Sequence, residues 1–175
     1  SQAHYEELNE RYPRKVREQL LELAAKDNHF FLHYWPLYPL NFVHTEQASS
    51  KNGGFMDYKL EVLEEWFGEL LDEMDELGVA DNTLVVFMAD NGLMYNYEGT
   101  SGLSQLIYRG GKTDFTEGGI RVDAYARWQG VIEPGCRAAD IVHVSDLFTT
   151  FARVAQAEKH IPTDRIIDGT DQTAL

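Results

Sequence analysis

The chain has 175 residues, of which 43% are hydrophobic and 25% charged, and its formal net charge is −14. This composition is typical of a globular chain that can bury a core, and it excludes a disordered polypeptide. The negative charge argues against a nucleic-acid partner, which would require a basic surface. No apolar run approaches the roughly 20 residues of a membrane-spanning helix. From the charge and the short apolar runs together, we expect neither nucleic acid nor a membrane as a partner.

The first predicted elements are a helix and a strand. Pro13 is well placed to open a helix, and the apolar residues that follow it predict a helix up to about Lys26. Residues 28–35 are aromatic-rich and are followed by Pro36, which favours a short buried strand. The loop that then runs to about Gly54 is expected either to be mobile or to form part of a site.

A long acidic helix is predicted next. Its apolar residues recur at steps of 3 and 4 positions from Leu60 to Leu77, as on one face of an amphipathic helix. We interpret the opposite, acidic face as solvated, in preference to metal binding. Gly78 is expected to cap the helix at its C-terminus. After a turn at Asp81-Asn82, residues 83–89 are predicted to form a buried strand.

The order helix, strand, loop, helix, strand predicts an α/β fold with a layered sheet. Residues 92–119 contain half of the 14 glycines and show no periodicity, so this long loop is expected to be functional or disordered. Residues 122–128 are predicted to form another strand, and Ser145 is predicted to be the N-cap of a further helix. The C-terminal tail, residues 161–175, contains Asp168-Gly169 and is expected to form turns.

Two motifs carry candidate chemistry. Residues 90–92, Asp-Asn-Gly, follow a predicted strand, and ligands of α/β proteins bind at that edge of the sheet. Adjacent carboxylate and amide oxygens suit a hard cation such as Ca²⁺ or Mg²⁺, although the tripeptide alone is more typical of a turn. Residues 109–112, Arg-Gly-Gly-Lys, suit an anion, although alone they are more typical of a surface loop. A second glycine pair, Gly118-Gly119, indicates tight backbone packing more than catalysis.

Together, these motifs resemble the second half of a sulfatase, a family of the alkaline phosphatase superfamily. The resemblance covers roughly residues 13–175 and rests on motifs at residues 81–92 (DNTLVVFMADNG), 109–113 (RGGKT) and 117–122 (EGGIRV), with support from residues 128–135, 145–151 and 164–171. It implies an alkaline-phosphatase-like layered sheet with flanking helices. It also implies that residues 1–175 form a single partial domain, the C-terminal part of the catalytic domain.

The resemblance implies roles for individual residues. Asp90 and Asn91 would be ligands of a divalent cation, usually calcium in this family. Lys112 would contact the sulfate oxygens and, together with the cation, neutralise charge on the sulfuryl group during transfer. A histidine that assists the leaving group is also typical, and His44 is the best match. His33 is the alternative, although its position in the predicted strand is more typical of a packed core histidine.

The nucleophile of the family has no match in this chain. It is a formylglycine made from the first residue of a Cys/Ser-x-Pro/Ala-x-Arg motif, whereas the only cysteine, Cys136, is followed by Asp140 where the motif requires arginine. The paired aspartates that complete the metal shell, and an activating lysine and histidine, are also absent. We therefore expect the chain to be the C-terminal portion of a longer enzyme and to be inactive alone.

In the complete protein, the resemblance predicts hydrolysis of a sulfate ester to an alcohol and inorganic sulfate. Two alternatives stay open. One is a phosphonate monoester or phosphodiester hydrolase of the same superfamily, since fold and metal site do not fix the ester. The other is a noncatalytic binding or assembly module. Such a module would have to cover apolar strand edges, so it is expected to form homo-oligomers or to aggregate.

Overall fold

The computed structural model describes residues 2–26, 28–36, 55–92 and 107–175. It divides into two compact units, Ser1–Ile132 and Glu133–Leu175, which are described separately. The regular elements, in chain order, are α1 (Gln2–Ala24), α2 (Phe55–Glu76), a 3₁₀ turn (Ala80–Asn82), β1 (Val85–Met88), α3 (Glu117–Ile120), β2 (Ala124–Arg127), α4 (Asp146–Val154) and a second 3₁₀ turn (Glu158–His160). Within these described ranges, no helix is long and apolar enough to cross a membrane.

Helix α1 begins earlier than its sequence suggests. The expectation that Pro13 opens the helix is wrong, because Pro13 lies inside α1. An internal proline removes one backbone hydrogen bond. The residues before it, however, include good helix formers such as Glu7, Leu8 and Glu10, and these favour helix on that side as well. The C-terminal end of α1, at Ala24, lies close to the predicted one.

The core of the first unit lies where α1, α2 and the following turn meet. Leu20 of α1, Met74 of α2 and Ala80 form its buried cluster, and Phe30 and Leu32 pack against it. The amphipathic prediction for α2 is thus confirmed on its apolar side. Such burial is the main source of stability in a small core.

The acidic face of α2 is exposed, as predicted, except at Glu73. The other acids from Glu61 to Glu76 are exposed, whereas Glu73 is 8% exposed and forms an ion pair with Arg17 of α1. A buried carboxylate requires a partner. The cation on α1 is therefore what allows one acid of this face to lie between the two helices.

Helix α2 ends at the predicted glycine. Gly78 has φ +68°, in the left-handed region that favours glycine. The Gly78 N–H donates to the Asp75 carbonyl over 3.1 Å, and the Val79 N–H donates to the Met74 carbonyl over 3.1 Å. These two bonds define a Schellman cap. The predicted turn at Asp81-Asn82 is also confirmed, as part of the 3₁₀ turn Ala80–Asn82.

Strands β1 and β2 form an antiparallel two-stranded sheet. Its register pairs Val85 with Arg127 and Met88 with Ala124. Both predicted strands are confirmed, but the expectation that β1 is buried is wrong, because its burial is only partial and Met88 is exposed. Phe67 of α2 covers one side of the sheet, with its ring centroid 4.9 Å from that of Phe87.

Polar contacts tie β2 and the residues after it to the end of α2. Arg127 Nη2 donates to both carboxylate oxygens of Asp75, over 2.9 and 3.0 Å, and Gln129 Nε2 donates to Asp75 Oδ1 over 2.7 Å. Trp128 Nε1 donates to the Asp81 carbonyl over 3.0 Å. The three consecutive residues 127–129 therefore fix the β1–β2 sheet against the end of α2 and the turn that follows it.

The predicted strand at residues 28–35 is wrong in one respect. The segment is followed by Pro36 and its side chains alternate as in a strand, with Phe30 and Leu32 facing the core while Phe31 and Trp35 are 70% and 78% exposed. It forms no ladder with any other described residue. A strand is defined by a neighbour that pairs with it, so this segment does not count as a strand within the described ranges.

In the second unit, α4 begins at the predicted place without the predicted cap. Ser145 has helical backbone angles, φ −64° and ψ −26°, and its side chain makes no capping bond. Capping requires a non-helical backbone at that position. The Ser145 hydroxyl instead lies 2.8 Å from Nδ1 of His143.

The C-terminal tail packs along α4. It forms a turn, as expected, at residues 172–175, where the Leu175 N–H donates to the Gln172 carbonyl over 3.1 Å, and not at residues 168–169. The tail approaches α4 so closely that a Cβ at Gly169 would lie 2.1 Å from the Ser145 carbonyl oxygen. The Gln172 N–H donates to Thr150 Oγ1 over 3.0 Å. Close backbone approach, and not a turn, is therefore what requires the glycine.

The buried carboxylate of Asp146 joins the tail to the start of α4. It accepts hydrogen bonds from the backbone N–H groups of Thr170 and His143, each over 2.8 Å, and from Gln172 Nε2 over 3.2 Å. The Thr170 and His143 amides hold the pKa of Asp146 below its usual value, since these bonds favour the charged form.

This network predicts acid-sensitive folding. A carboxyl group whose pKa is lower in the folded state stabilises the fold above its unfolded pKa, and this contribution is lost as the pH falls through the folded pKa. We expect the ¹³Cγ titration of Asp146 to have its midpoint below 3.8. We also expect Asp146→Asn to lower the urea midpoint at pH 7, whereas Asp140→Asn, at an exposed carboxylate, should leave it unchanged. A titration midpoint at or above 3.8 would contradict the prediction.

Candidate functional site

Asp90 and Asn91 lie just past the end of β1, as the sequence predicts. The Asp90 side chain is exposed and makes no hydrogen bond or ion pair with another residue in the described part of the chain. Asn91 is half-buried, and its Nδ2 donates to the Gly92 carbonyl over 2.8 Å. This bond orients the amide group and leaves its oxygen available. One carboxylate and one amide oxygen, on consecutive residues at the strand end, are therefore available to a ligand.

Backbone packing brings the two sequence motifs together. The Gly92 N–H donates to the Gly119 carbonyl over 3.0 Å, and a Cβ at Gly92 would lie 1.9 Å from the Gly118 carbonyl oxygen. Gly118 in turn packs against Gly110, since a Cβ at Gly118 would lie 2.1 Å from that residue's carbonyl oxygen. The tight packing predicted for the second glycine pair is confirmed. We call residues 92, 110, 118 and 119 the glycine contact.

Lys112 lies at the tip of a turn within the glycine-rich loop. The Asp114 N–H donates to the Gly111 carbonyl over 2.9 Å, which makes Lys112 and Thr113 the two central residues of the turn. Thr113 has φ +81°, an uncommon angle for a β-branched residue. Lys112 is half-buried, and its ammonium makes no ion pair with any described residue. Its charge is therefore available to an anion.

Side chains of the same loop hold this turn in place. The Asp114 carboxylate accepts the Gly111 N–H over 3.1 Å. Thr116 Oγ1 donates to the Arg109 carbonyl over 2.6 Å, and the Gly118 N–H donates to the same oxygen over 2.8 Å. Asp114 and Thr116 were not identified as site residues from the sequence. An Asp shortly after a glycine pair is nevertheless a turn signal that could have found the first of them.

Arg109 contributes its backbone to the loop. Its side chain is exposed and makes no ion pair within the described ranges. The neighbouring cation, Arg121, lies over the Tyr108 ring at 4.6 Å from the centroid and also donates to Glu117 over 3.3 Å. The structure therefore leaves Lys112 more enclosed than Arg109, and engages Arg121 elsewhere.

Of the two candidate histidines, the structure describes only His33. His44 lies outside the described residues. His33 is exposed, with its ring 5.1 Å from that of Trp35 and 6.2 Å from that of Phe31. The interpretation of His33 as a packed core histidine is therefore wrong. Side chains of this segment alternate between core and solvent, and Phe30 and Leu32 are the ones that pack against the core.

Asp90 and Asn91 could hold a hard cation only as part of a larger set of ligands. Asp90 and Asn91 provide two hard oxygen donors, whereas Ca²⁺ takes six to eight oxygen ligands. No group of three or more His, Cys, Asp or Glu side chains within the described ranges could hold a metal ion. The oxygen atoms of these two residues are of the type that a hard cation prefers, but two ligands are too few to complete its coordination shell.

Comparisons with known proteins agree on one family. A family model described as Sulfatase matches residues 3–157. The chain is 39% identical over 149 residues to the steryl-sulfatase of Rattus norvegicus, covering 83% of this chain and 26% of that protein. It is 30% identical over 168 residues to the N-acetylgalactosamine-6-sulfatase of Mus musculus, covering 94% of this chain and 32% of that protein.

Solved structures share the fold. The crystal structure of Ps i-CgsB in complex with k-i-k-neocarrahexaose superposes with a TM-score of 0.81 at 24% identity, covering 95% of this chain and 37% of that chain. The PsFucS1 sulfatase from Pseudoalteromonas sp. gives a TM-score of 0.60 at 31% identity, covering 69% of this chain and 24% of that chain. The expected alkaline-phosphatase-like α/β fold is thereby confirmed. The chain spans about a quarter to a third of its curated relatives.

Proposed function

Because the chain belongs to the sulfatase family, we propose that it forms part of an enzyme that hydrolyses sulfate esters to an alcohol and inorganic sulfate. The observation that carries this proposal is the glycine contact. It joins the strand end that presents Asp90 and Asn91 to the loop that presents Lys112. The proposed oxygen ligands of the cation and the proposed anion-binding lysine are therefore on adjoining backbone segments, an arrangement that suits stabilisation of charge on a sulfuryl group.

We assign to Lys112 the role of binding the sulfate oxygens. An ammonium group is a compact positive charge with three donors. It is most effective on a substrate when it is held in place and partly removed from water, because the lower dielectric strengthens its field. Lys112 is half-buried, lies on a hydrogen-bonded turn and is not engaged by a described acid. These three properties support the assignment.

Asp90 and Asn91 are the proposed ligands of a divalent cation, with calcium as the expected ion. Both donate oxygen, which calcium prefers, and Asp90 is not neutralised by any cation in the described part. A bound cation would withdraw charge from the sulfuryl oxygens. The proposal assigns the remaining ligands to residues outside the described ranges.

The histidine that assists the leaving group is proposed to be His44, with His33 as the alternative. His33 remains a candidate because its exposed ring is accessible to a substrate or to another part of the protein. Separate His33→Ala and His44→Ala variants in the complete protein would distinguish the two, since only the variant of the assisting histidine should lose kcat strongly.

We further propose that residues 1–175 are the C-terminal part of one catalytic domain. The nucleophile, a formylglycine, would then lie in the N-terminal part, which is the proposed partner of this chain. The exposed apolar side chains of Phe31 and Trp35 support this proposal, because exposed apolar surface of this kind marks a contact site. Alone, the 175 residues are expected to have no turnover.

Turnover by the complete polypeptide tests the proposed function. We expect it to hydrolyse an aryl sulfate faster than the matching aryl phosphonate monoester or phosphate diester. A preference for either phosphorus ester would favour the phosphonate or phosphodiester alternative. A native 20.0 kDa product without turnover on all three esters would favour the noncatalytic module.

A further inference from the structure

We propose that Asp114 is a positioning residue for Lys112. The inference rests on the proposed function, because it assumes that Lys112 binds the sulfuryl group. It adds a residue that acts on catalysis through the lysine, without touching the substrate itself.

Asp114 closes the lysine turn at two points. Its backbone N–H donates to the Gly111 carbonyl over 2.9 Å, and its carboxylate accepts the Gly111 N–H over 3.1 Å. Both polar groups of Gly111 are thus bonded to one residue. The backbone on the N-terminal side of Lys112 is fixed relative to Asp114 on the far side of the turn.

The turn needs this closure because it contains an unfavourable backbone angle. Thr113, directly after Lys112, has φ +81°. Such conformations persist only where the surrounding structure enforces them. Without the carboxylate, Thr113 can relax to a negative φ, and this rotation redirects the chain at Lys112. The Asp114 side chain therefore opposes a backbone change that would displace the lysine.

Asp114 also connects the lysine turn to the glycine contact. A Cβ at Gly119 would lie 2.2 Å from the Asp114 carbonyl oxygen, and a Cβ at Gly110 would lie 2.7 Å from Asp114 Oδ2. Gly119 accepts the Gly92 N–H, next to Asn91. Asp114 is therefore packed into the same backbone assembly that holds the proposed cation ligands, and it relates the lysine to them.

The test is a double-mutant cycle in the complete protein with an aryl sulfate as substrate. Asp114→Ala is expected to lower kcat about 10- to 100-fold, the scale of a misplacement of roughly 1 Å. Asp114→Asn keeps a side-chain oxygen for the Gly111 N–H and should retain most of the activity. In a Lys112→Ala background, Asp114→Ala should cause little further loss, because the residue acts through the lysine. Asp123→Ala, at an exposed carboxylate with no bond in the described part, is the control.

Two results would overturn the inference. One is a kcat of Asp114→Ala within twofold of the wild type. The other is an equal loss in the presence and absence of Lys112, which would indicate general damage to the fold.

If the wild type hydrolyses no sulfate ester, the proposed function fails. Hydrogen exchange of the 111–114 peptide then decides whether Asp114 fixes the turn. Asp114→Ala should accelerate this exchange and Asp114→Asn preserve it, and unchanged exchange would refute the positioning role.

Discussion

Replacing Lys112 by alanine in the complete protein should lower kcat for a sulfate ester about 100- to 1,000-fold, as loss of a single charge-stabilising donor does in other enzymes. The reason is that its ammonium, which no described acid neutralises, would meet charge that develops on the sulfuryl oxygens. Steady-state kinetics of the purified variant measures the effect. Its thermal midpoint should match that of the wild type, because the side chain makes no bond with a described residue.

Two variants sharpen the Lys112 experiment. Lys112→Arg keeps the charge but replaces a compact ammonium by a planar group, so it should recover only part of the activity. Lys159→Ala removes an exposed lysine of the second unit that makes no ion pair there, and it should be silent. A kcat of Lys112→Ala within twofold of the wild type would show that Lys112 does not bind the sulfuryl group.

The largest effect on stability is expected from Gly118→Ala. The added Cβ would lie 2.1 Å from the Gly110 carbonyl oxygen and 2.6 Å from that of Arg109. Both are backbone atoms, which cannot move aside as the far end of a flexible side chain can. We expect a loss of at least about 3 kcal/mol, at the upper end of the range for overpacking, measured as a decrease in the urea midpoint or in soluble yield.

Gly68→Ala is the matched control for this substitution. Gly68 lies inside α2 with nothing within 4 Å of an added Cβ. Alanine favours a helix interior by up to about 1 kcal/mol over glycine, so this variant should be slightly more stable than the wild type. Equal stabilities of Gly118→Ala and Gly68→Ala would contradict the close approach at Gly118.

Local patterns predicted the elements whose causes are local. The spacing of apolar residues located α2, Gly78 marked its end, and both strands of the described sheet were found from short apolar runs. The same holds for the candidate site. Asp90, Asn91 and Lys112 were singled out by residue type, their roles were taken from the resemblance to sulfatases, and these roles stay proposals.

What the sequence did not predict depends on contacts between distant residues. The bonds from Arg127 and Gln129 to Asp75 join positions 52 and 54 apart, and no periodicity encodes the choice of partner. The same holds for Asp146, because two of its three donor residues, Thr170 and Gln172, lie 24 and 26 positions away in the tail. For residues 28–35 the alternation was correct, but pairing requires a neighbour that the described residues do not supply.

The glycine contact also constrains how this protein can be engineered. At Gly92 and Gly118 the nearest atoms to an added Cβ are all backbone atoms, which adjust less readily to a change than a side chain does. Swapping the loop for that of a relative, while keeping the original strand end, would therefore require matching backbone positions as well as the same glycines. Chimaeras designed to alter substrate preference should exchange the two segments together as one cassette.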